Sequence, residues 1–503
     1  MTEASISSGT FAGGKTGPDP RRWLLLAIIG IAQLMVMLDA TIVNIALPSA
    51  QKSLGFTSVD RQWVVTAYAL AFGSLLLFGG RLGDLIGRKI TFLGGLIGFA
   101  AASAAGGAAT NFSMLVTARA CQGAFGALLA PAALSLLTTT FSDPKERGKA
   151  FGVYGAIAGG GGAVGLVLGG VLTEYLSWRW CLYVNLFFAG IAAIGGMLLL
   201  RRQPRSGRRP RLDMPGVMLV SASMFCLVYG FSNAASHSWH TPSTYGYLAA
   251  GAGLLAVFAL WQALASHPLL PPRVVLDRNR GGSNLAVLIR GAGMFGLFVF
   301  LTYYMQQTLH YSPVVTGLAF LPMVGMIVVC ANLANIVLMP RLGPKPLVTL
   351  GMLLASGAMA WLSRIGPHSG YVAAVLGPLL TAGLGFGFTT APAMNTGTYG
   401  VAPQDTGVAS ATLNTGQQIG GSIGTSLLTT LAASATASYL TAHITPASLV
   451  HGHPAPQLAA LALVDGYSTA FRWSAAIFAG GAVICGALLR RGPLAQVGEQ
   501  LGL

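Results

Sequence analysis

Long apolar runs, separated by short polar or Gly- and Pro-rich breaks, fill the chain from Trp23 to Leu489. A helix needs about 20 apolar residues to cross a hydrocarbon core of roughly 30 Å. Fourteen runs have this character, and we predict that each is a membrane-spanning helix. Six come first, two follow a basic break and six close the chain: Trp23–Leu47, Gln62–Gly79, Ile90–Ala109, Phe112–Leu137, Ala150–Leu172, Trp180–Leu200, Met214–Phe231, Tyr245–Ala265, Asn284–Gln306, Val314–Leu338, Leu347–Ile365, Tyr371–Ala393, Gly407–Ala437 and Gly466–Leu489.

The positive charges test this count independently, because cytoplasmic loops of membrane proteins hold most of the Lys and Arg. With the N-terminus inside, 22 of the 29 basic residues fall in cytoplasmic segments and four fall in outer loops. A miscount by one span would mix the two sides. We therefore expect both termini in the cytoplasm. The net charge of +16 then reflects topology rather than a nucleic-acid partner.

The composition agrees with a protein that lies in a lipid bilayer. The chain is 53% hydrophobic and 8% charged, whereas soluble domains carry about 25% charged residues. Its five Cys show no CxxC spacing, so we expect neither a disulfide framework nor a metal site. The sequence shows no P-loop, nucleophile elbow or paired carboxylates that would indicate an enzyme. We expect no cofactor other than a proton as coupling ion, because energy must come from an ion gradient.

The loop Gly80–Lys89, between the second and third predicted spans, reads GRLGDLIGRK. It resembles the signature G-x-L-a-D-r-x-G-r-k of the major facilitator superfamily, at the place expected in that family. Gly83 and Gly87 permit the tight turn that so short a loop needs, and Asp84 can accept hydrogen bonds from a helix N-terminus or pair with Arg88. An ordinary positive-inside loop with turn glycines is the alternative. The resemblance implies a conformational motif of Gly80, Gly83, Asp84, Gly87, Arg88 and Lys89.

Four further stretches resemble the fourteen-span drug:proton antiporter branch of this superfamily. They are similar to its first-helix motif, its fourth-helix R-x-x-Q-G, its W-R-W…N at the sixth helix, and its seventh core helix with the following loop. The matching residues are Leu38–Pro48, Arg119–Gly123, Trp178–Trp180 with Asn185, and Gln306–Pro313 with Gly317.

The fifth predicted span departs from the antiporter pattern. Leu166 stands where the family motif G-P-x-x-G-G has proline. The spaced glycines Gly165, Gly169 and Gly170 still form a helix-packing motif that allows close helix contact. The missing proline removes an expected kink, so uncoupled facilitated export stays open beside antiport.

The resemblance implies an all-α membrane protein with the major facilitator fold, in which two six-helix bundles alternate access around a midplane site. The bundles would cover residues 22–200 and 281–490, and the tails 1–21 and 491–503 would be cytoplasmic. A basic linker and two additional central helices would occupy residues 201–280. The loop Arg341–Lys345 resembles a worn copy of Gly80–Lys89, as an internal repeat predicts.

Asp39 is the one acidic residue that we place well inside a predicted span. It lies eight residues before Leu47, and Arg119 lies eight residues after Asn111 on a span that runs inward. Both are therefore roughly 12 Å below the outer face. We predict an Asp39–Arg119 pair that exchanges a proton as its separation or hydration changes. A static buried pair, or direct binding of a cationic substrate by Asp39, is the alternative.

Polar and aromatic side chains inside spans usually face a cavity or another helix. Aromatic and amide groups suit a bulky, amphipathic ligand, although packing between helices would explain them equally well. Arg290 lies about 9 Å from the inner end of its span, and we expect it to reach the cytoplasmic face. The predicted substrate cavity consists of Asn44, Gln122, Tyr303, Tyr304, Gln306, Asn414 and Gln417.

The sequence thus predicts a proton-coupled exporter of drug-like, antibiotic or secondary-metabolite compounds in a bacterial plasma membrane. We expect small amphipathic substrates, contact with the lipid bilayer and a functional monomer. An exporter of one specific metabolite, lipid or siderophore, or an uncoupled facilitator, is the alternative.

Overall fold

The computed structural model of the chain describes residues 21–57, 60–141, 144–200, 213–237, 241–266, 268–270, 276–367, 369–401, 406–444, 449–450 and 453–492. Of the predicted tails and basic linker, residues 1–20, 201–212 and 493–503 lie outside the described residues. Among the described residues, the first part of the chain forms eight helices: α1 Arg22–Leu54, α2 Arg61–Ile86, α3 Arg88–Gly107, α4 Phe112–Thr140, α5 Pro144–Tyr175, α6 Trp180–Leu199, α7 Met214–His237 and α8 Pro242–Leu264.

The second part, as far as the structure describes it, forms eight more helices and three π-helical turns. A short pair of antiparallel strands precedes the last helix. The elements are α9 Arg278–Tyr303 with a π turn Tyr304–Thr308, α10 Pro313–Ala319, α11 Leu321–Leu333, a π turn Ala334–Leu338, α12 Met339–Leu342, α13 Pro344–Leu362, a π turn Val372–Leu376 with α14 Gly377–Thr398, α15 Thr406–His443, β1 Leu449–Val450, β2 His453–Pro454 and α16 Pro456–Leu488.

Every predicted apolar run lies, to within three residues, in one of these helices or in one continuous series of them. In the described chain, eleven helical segments are long and apolar enough to cross a membrane. The eleven do not include α2, α5 and α15, which are nevertheless helices of 26, 32 and 38 residues. Apart from the short strand pair, the described structure is helical, and the chain is a multi-pass membrane protein.

The first six helices pack mainly among themselves, and so do α9 to α16. In the first half α2 and α3 both pack on α4, and α1 packs on α5 and α6. In the second half α9 packs on α15, and α13 packs on α14 and α16. The two halves meet mainly where α2 contacts α15 and where α5 contacts α10. Helices α7 and α8 pair with each other, and α7 lies against both α15 and α2.

The hydrophobic cores show at which end the halves are joined. One core contains side chains of both halves near the α1–α2 connection, among them Leu47 and Val64 with Val299 and Phe300. Another core, built around Phe92, is made of buried side chains of α1 to α6 and residues that border these helices. The halves therefore share apolar packing at the end that carries the α1–α2 connection.

The crossing of α5 and α10 brings two main chains into direct contact. A Cβ on Gly317 would lie 2.4 Å from the carbonyl oxygen of Leu166, and a Cβ on Gly170 would lie 2.6 Å from that of Pro313. Only glycine allows helices to approach so closely. Two members of the predicted helix-packing motif, Gly165 and Gly169, lie instead against α1, so the motif serves two different contacts.

Candidate functional site

Asp39 and Arg119 lie side by side in the interior of the first half. Arg119 Nη1 is 2.6 Å from Asp39 Oδ2, and the side chains of Arg119 and Asp39 are 2% and 0% exposed. The structure thus brings together the two residues that the sequence placed at equal depth. Two amides bind the other carboxylate oxygen: Gln122 Nε2 donates to Asp39 Oδ1 at 3.0 Å and Asn185 Nδ2 donates at 2.8 Å.

The guanidinium of Arg119 is satisfied by several groups at once. Its Nε donates to the carbonyl oxygen of Val64 at 3.1 Å, and its Nη1 also donates to Gln122 Oε1 at 2.9 Å. Its Cζ lies 4.4 Å from the centre of the Tyr68 ring, a favourable position for a cation. A buried ion pair is tolerated when the remaining donors and acceptors are satisfied in this way.

Ser103 and Asn185 complete the network, and the sequence reasoning gave neither of them a role there. Ser103 Oγ accepts from Gln122 Nε2 at 2.7 Å and from Asn185 Nδ2 at 3.3 Å. Asn185 had a signal, because it closes the W-R-W…N pattern. Ser103 had none, since it is a small residue in a run of Ala and Gly. Together Asp39, Arg119, Gln122, Ser103 and Asn185 form what we call the Asp39 network.

Gln122 and Asn44 were predicted to line the substrate cavity, and the structure places them elsewhere. Gln122 is completely buried inside the Asp39 network. Asn44 is 4% exposed, and its Nδ2 donates to the carbonyl oxygen of Ala40 on its own helix. Spacing along the sequence gives the depth of such residues but not the direction in which their side chains point.

The cavity beside Arg119 is too small for a drug-like molecule. It measures about 10 Å³, which is about the space that one water molecule needs. Its lining is largely apolar and includes Val64, Leu115 and Trp178. In this conformation the Asp39 network is therefore shut off from any bulky ligand.

Tyr303 and Gln306, two other predicted cavity residues, tie the second half to α1. Tyr303 Oη donates to Gln51 Oε1 at 2.6 Å, and Gln306 Nε2 donates to the carbonyl oxygen of Ile45 at 3.1 Å. The guanidinium carbon of Arg61 lies 4.0 Å from the centre of the Tyr303 ring. These contacts hold the α1–α2 end of the molecule closed.

The same end is fastened on its other side. The backbone N–H of Val314, in the first turn of α10, donates to Glu174 Oε2 at 3.0 Å. A carboxylate at a helix N-terminus is favoured by the unpaired N–H groups and the helix dipole. The contact joins the last turn of α5 to α10, next to the glycine crossing described above.

Tyr304, Asn414 and Gln417 do not join the other predicted cavity residues. Tyr304 is buried, and its Oη donates to the carbonyl oxygen of Gly366 at 2.7 Å within the second half. Asn414 is exposed, and its Nδ2 donates to the carbonyl oxygen of Ser410. Gln417 accepts a hydrogen bond from Arg290. The seven predicted cavity residues therefore do not surround a single cavity in this conformation.

Arg290 was expected to reach the cytoplasmic face, but its side chain stays inside the protein. It is 5% exposed and donates through Nη2 to Gln417 Oε1. Its Nη1 lies 3.1 Å from the sulfur of Met294. Contact with α15 holds the side chain there. The depth of Arg290 along its own span does not indicate which helix lies beside it.

The contact between α2 and α15 carries buried polar oxygens without partners. A Cβ on Gly73 would lie 3.3 Å from Gln418 Cβ, which sets the register of these two antiparallel helices. Thr66 on α2 and Thr425 on α15 are both completely buried. The side-chain oxygens of Thr66, Thr425 and Gln418 have no hydrogen-bond partner in the described part of the chain. This polar strip runs between the two halves.

The conformational motif is only partly a turn. Gly87 has φ 98°, which L-residues rarely adopt, and its N–H donates to the carbonyl oxygen of Gly83. Gly83, like Gly80, lies inside α2, so the expected turn role of Gly83 is wrong. Lys89 donates to the carbonyl oxygens of Met197 and Leu200 at the end of α6.

The remaining residues of that motif add less. Arg88 begins α3 and is half-buried, and the side chain of Asp84 is not among those that the structure describes. In the second half, Gly343 has φ 76° between α12 and α13, at the place that corresponds to Gly87. The worn copy of the loop therefore keeps its turn.

Comparison with known proteins places this arrangement in a family. The sequence model of the Major Facilitator Superfamily matches residues 29–425. The chain belongs to the Major Facilitator Superfamily. It is therefore a transporter and not an enzyme, as the motifs predicted. Superfamily membership also agrees with the packing of the helices into two halves, each packed mainly within itself.

Several curated relatives of the chain are antibiotic resistance or export proteins. The chain is 48% identical over 476 residues to the puromycin resistance protein of Streptomyces alboniger, covering 94% of this chain and 92% of that protein. It is 38% identical to the cephamycin export protein of Amycolatopsis lactamdurans, covering 84% and 87%. It is 36% identical to the tetracenomycin C resistance and export protein of Streptomyces glaucescens, covering 84% and 77%.

Solved structures of the superfamily support the fold. A bacterial homologue of the human lysosomal transporter Spinster, in an inward-facing and unoccupied conformation, matches with a TM-score of 0.65 at 15% identity and covers 94% of this chain and 98% of its own. An autoinhibited peptide transporter of the POT family matches with a TM-score of 0.67 at 15% identity, covering 95% and 98%.

Proposed function

We propose that the protein exports an antibiotic or a related amphipathic secondary metabolite in exchange for protons. The names of its curated relatives support the class of substrate, and puromycin is the first compound to test because of the 48% identity to a puromycin resistance protein. The observation that carries the proton coupling is a completely buried carboxylate, Asp39, held by Arg119, Gln122 and Asn185. A titratable group at such a site is by default a functional one.

The proposed membrane arrangement has fourteen spans and both termini in the cytoplasm of a bacterial plasma membrane. Its support is the long helices and the distribution of Lys and Arg. We place the two six-helix bundles at residues 22–200 and 281–490, with the two extra helices between them. A monomer contains every residue that the proposal uses, so no second copy, cofactor or metal is part of it.

The exchange uses the closed end and the Asp39 network together. While Asp39 is charged, Arg119 and the two amides bind it and hold α1, α4 and α6 in one arrangement. A proton that reaches Asp39 removes the negative charge that Arg119 requires, and those helices can then shift relative to one another. Rocking of the halves opens the contacts of Tyr303 and Gln306 and hydrates the polar strip between α2 and α15.

One proton per cycle is sufficient for useful export. It supplies about 2.3 kcal/mol per 100 mV of membrane potential and about 1.4 kcal/mol per pH unit. At 100 mV and one pH unit the total corresponds to roughly a 500-fold gradient of a neutral solute.

Transport in proteoliposomes with an imposed pH gradient tests the proposal. We expect puromycin movement to need the gradient, to stop with a protonophore, and to be lost in Asp39→Asn. The matched control is Asp465→Asn, because Asp465 pairs with Arg472 at 3.3 Å on the exposed surface. Normal gradient-driven transport by Asp39→Asn would contradict the role of this carboxyl.

An uncoupled facilitator is the second candidate, favoured by Leu166 in place of the motif proline. Transport of the same rate with and without the pH gradient, and unchanged in Asp39→Asn, would establish it. An exporter of one particular metabolite would instead move no puromycin while still binding its own compound.

A further inference from the structure

Arg290 is a buried cation that the proposed proton exchange does not use. It lies on α9, twelve residues after Arg278, which is about 18 Å along the helix. It is 5% exposed. Charged side chains buried inside a membrane-spanning segment are costly and mark substrate or ion pathways when they persist.

The partners of Arg290 differ from those of Arg119. Arg119 has a carboxylate, an amide oxygen and a carbonyl oxygen around it. Arg290 has the amide oxygen of Gln417 and the sulfur of Met294, and its Nε has no partner in the described part of the chain. No described carboxylate forms an ion pair with it. The positive charge of Arg290 is thus not neutralised by the part of the protein that the structure describes.

The backbone around Arg290 is fixed. A Cβ on Gly291 would lie 2.3 Å from the carbonyl oxygen of Gln417, so α9 and α15 are in main-chain contact beside the guanidinium. Asn414 lies one helical turn from Gln417 on the same face of α15, and its side chain is exposed. An exposed amide therefore lies within one helical turn of the partner of a buried cation.

We propose that Arg290 and Gln417 bind an anionic group, a carboxylate or a phosphate, of those exported molecules that carry one. This inference deepens the proposed export function and rests on it. The guanidinium binds a carboxylate through two parallel hydrogen bonds. Its unpartnered Nε and its Nη2 form such a fork, and the incoming oxygen displaces the amide oxygen of Gln417. The freed amide of Gln417 can then donate to the same anion.

A pair of dyes that differ by one charge tests the site in the purified full-length protein. Rhodamine B carries a carboxylate, and its ethyl ester has the same ring system without it. We measure binding of each dye by fluorescence anisotropy. We expect Arg290→Gln to weaken rhodamine B binding by about tenfold or more and to change ester binding less than twofold. Arg290→Lys, which keeps the charge but loses the fork, should fall between the wild type and Arg290→Gln.

The matched control is Arg472→Gln, because Arg472 is 58% exposed and far along the chain from this site. Equal binding of acid and ester by the wild type, equal loss of both dyes in Arg290→Gln, or no binding of either dye overturns the proposal. Thermal unfolding of each variant identifies a failure to fold. If Arg290→Gln fails to fold, Gln417→Leu is tested instead, and it should likewise lose the preference for the acid over the ester.

An anionic lipid headgroup offers the same chemistry as the carboxylate of a substrate. Binding is therefore repeated in phosphatidylcholine vesicles with and without phosphatidylglycerol. If phosphatidylglycerol leaves the rhodamine B affinity unchanged, the result supports a substrate site. If phosphatidylglycerol lowers the affinity in the wild type but not in Arg290→Gln, the site binds lipid and the proposal is overturned. These readouts need no pH gradient, so they are separate from a failure of proton coupling, which Asp39→Asn reports.

Discussion

Tyr303 of α9 donates a hydrogen bond to Gln51 of α1, with 2.6 Å between Tyr303 Oη and Gln51 Oε1. The bond joins the two halves of the transporter at the end where Arg61 also lies over the Tyr303 ring. The next residue, Tyr304, makes an equally short bond of 2.7 Å to Gly366, but within one half. Two adjacent tyrosines therefore serve different contacts.

We predict that Tyr303→Phe favours opening of this end. Loss of one neutral hydrogen bond is worth about 1 kcal/mol, which changes the ratio of closed to open molecules roughly fivefold. Spin labels at the exposed positions Lys52 and His310 measure the distance between the halves. Tyr304→Phe is the control and should leave the distance distribution unchanged. An identical response of both variants would show that Tyr303 does not lock this end.

The ion pair of Asp39 and Arg119 has a structural and a coupling role that mutation can separate. Arg119→Gln leaves a buried carboxylate without its cation and should destabilise the protein by about 3 kcal/mol. Adding Asp39→Asn removes that charge and should restore most of the stability, measured by thermal unfolding. Proton-driven export should stay absent in the double variant. If export recovered together with stability, the ion pair would have only a structural role, and the coupling role would be contradicted.

The turn between α2 and α3 depends on glycine at one position. Gly87→Ala forces an alanine into φ 98° and should cost about 1–2 kcal/mol of folding stability. Gly94→Ala is the control, because Gly94 lies in α3 and a methyl group added there would meet nothing within 4 Å, and alanine is the better helix former. A loss of stability in Gly94→Ala as large as in Gly87→Ala would refute the argument from φ.

A carboxylate fastens α7 to α8. Asp213, 9% exposed, accepts hydrogen bonds from Trp261 Nε1 and Gln262 Nε2, both at 2.7 Å. The backbone N–H groups of Gly216 and Leu269 also donate to it, at 2.9 and 3.2 Å. Asp213 precedes α7, outside the predicted spans.

The attachment of α7 to α8 should therefore depend on pH. Burial raises the pKa of Asp213, but the hydrogen bonds from Gln262, Trp261 and the two backbone amides outweigh it and hold the pKa below its usual value. A lowered pKa means that the stabilisation is present above the unfolded value of about 3.9 and is lost as the pH falls through the folded value. Acrylamide quenching of tryptophan fluorescence should rise in that acid range. Asp213→Asn should abolish this dependence, and an unchanged acid transition in that variant would contradict it.

The sequence predicted the helices and the depth of charged residues far better than the contacts between helices. Asp39 and Arg119 share a depth because each residue adds a fixed rise along a helix, and counting from the ends is enough. The rotation of a helix about its own axis is set by packing against neighbours. Tyr303 and Tyr304 were therefore assigned to one cavity although the first contacts α1 and the second contacts Gly366.

Small side chains were the hardest to assign from the sequence. Ser103 receives two hydrogen bonds in the Asp39 network because α3, α4 and α6 converge on it, and nothing in its own surroundings along the chain indicates this. Arg290 was misplaced for a related reason, since its partner Gln417 lies 127 positions away. Asn185 could have been predicted, because the motif that it belongs to singles out this residue, although the motif does not say what the residue binds.

The glycine crossing of α5 and α10 has a mechanical consequence. Because neither Gly170 nor Gly317 has a side chain, the main chains meet there without side chains of these two residues to resist sliding. The crossing can act as a pivot about which one half tilts relative to the other, while the hydrogen bonds beside it break and form. A methyl group at Gly317 would hinder that tilting without contacting Asp39 or Arg119, the two residues of the proposed proton exchange.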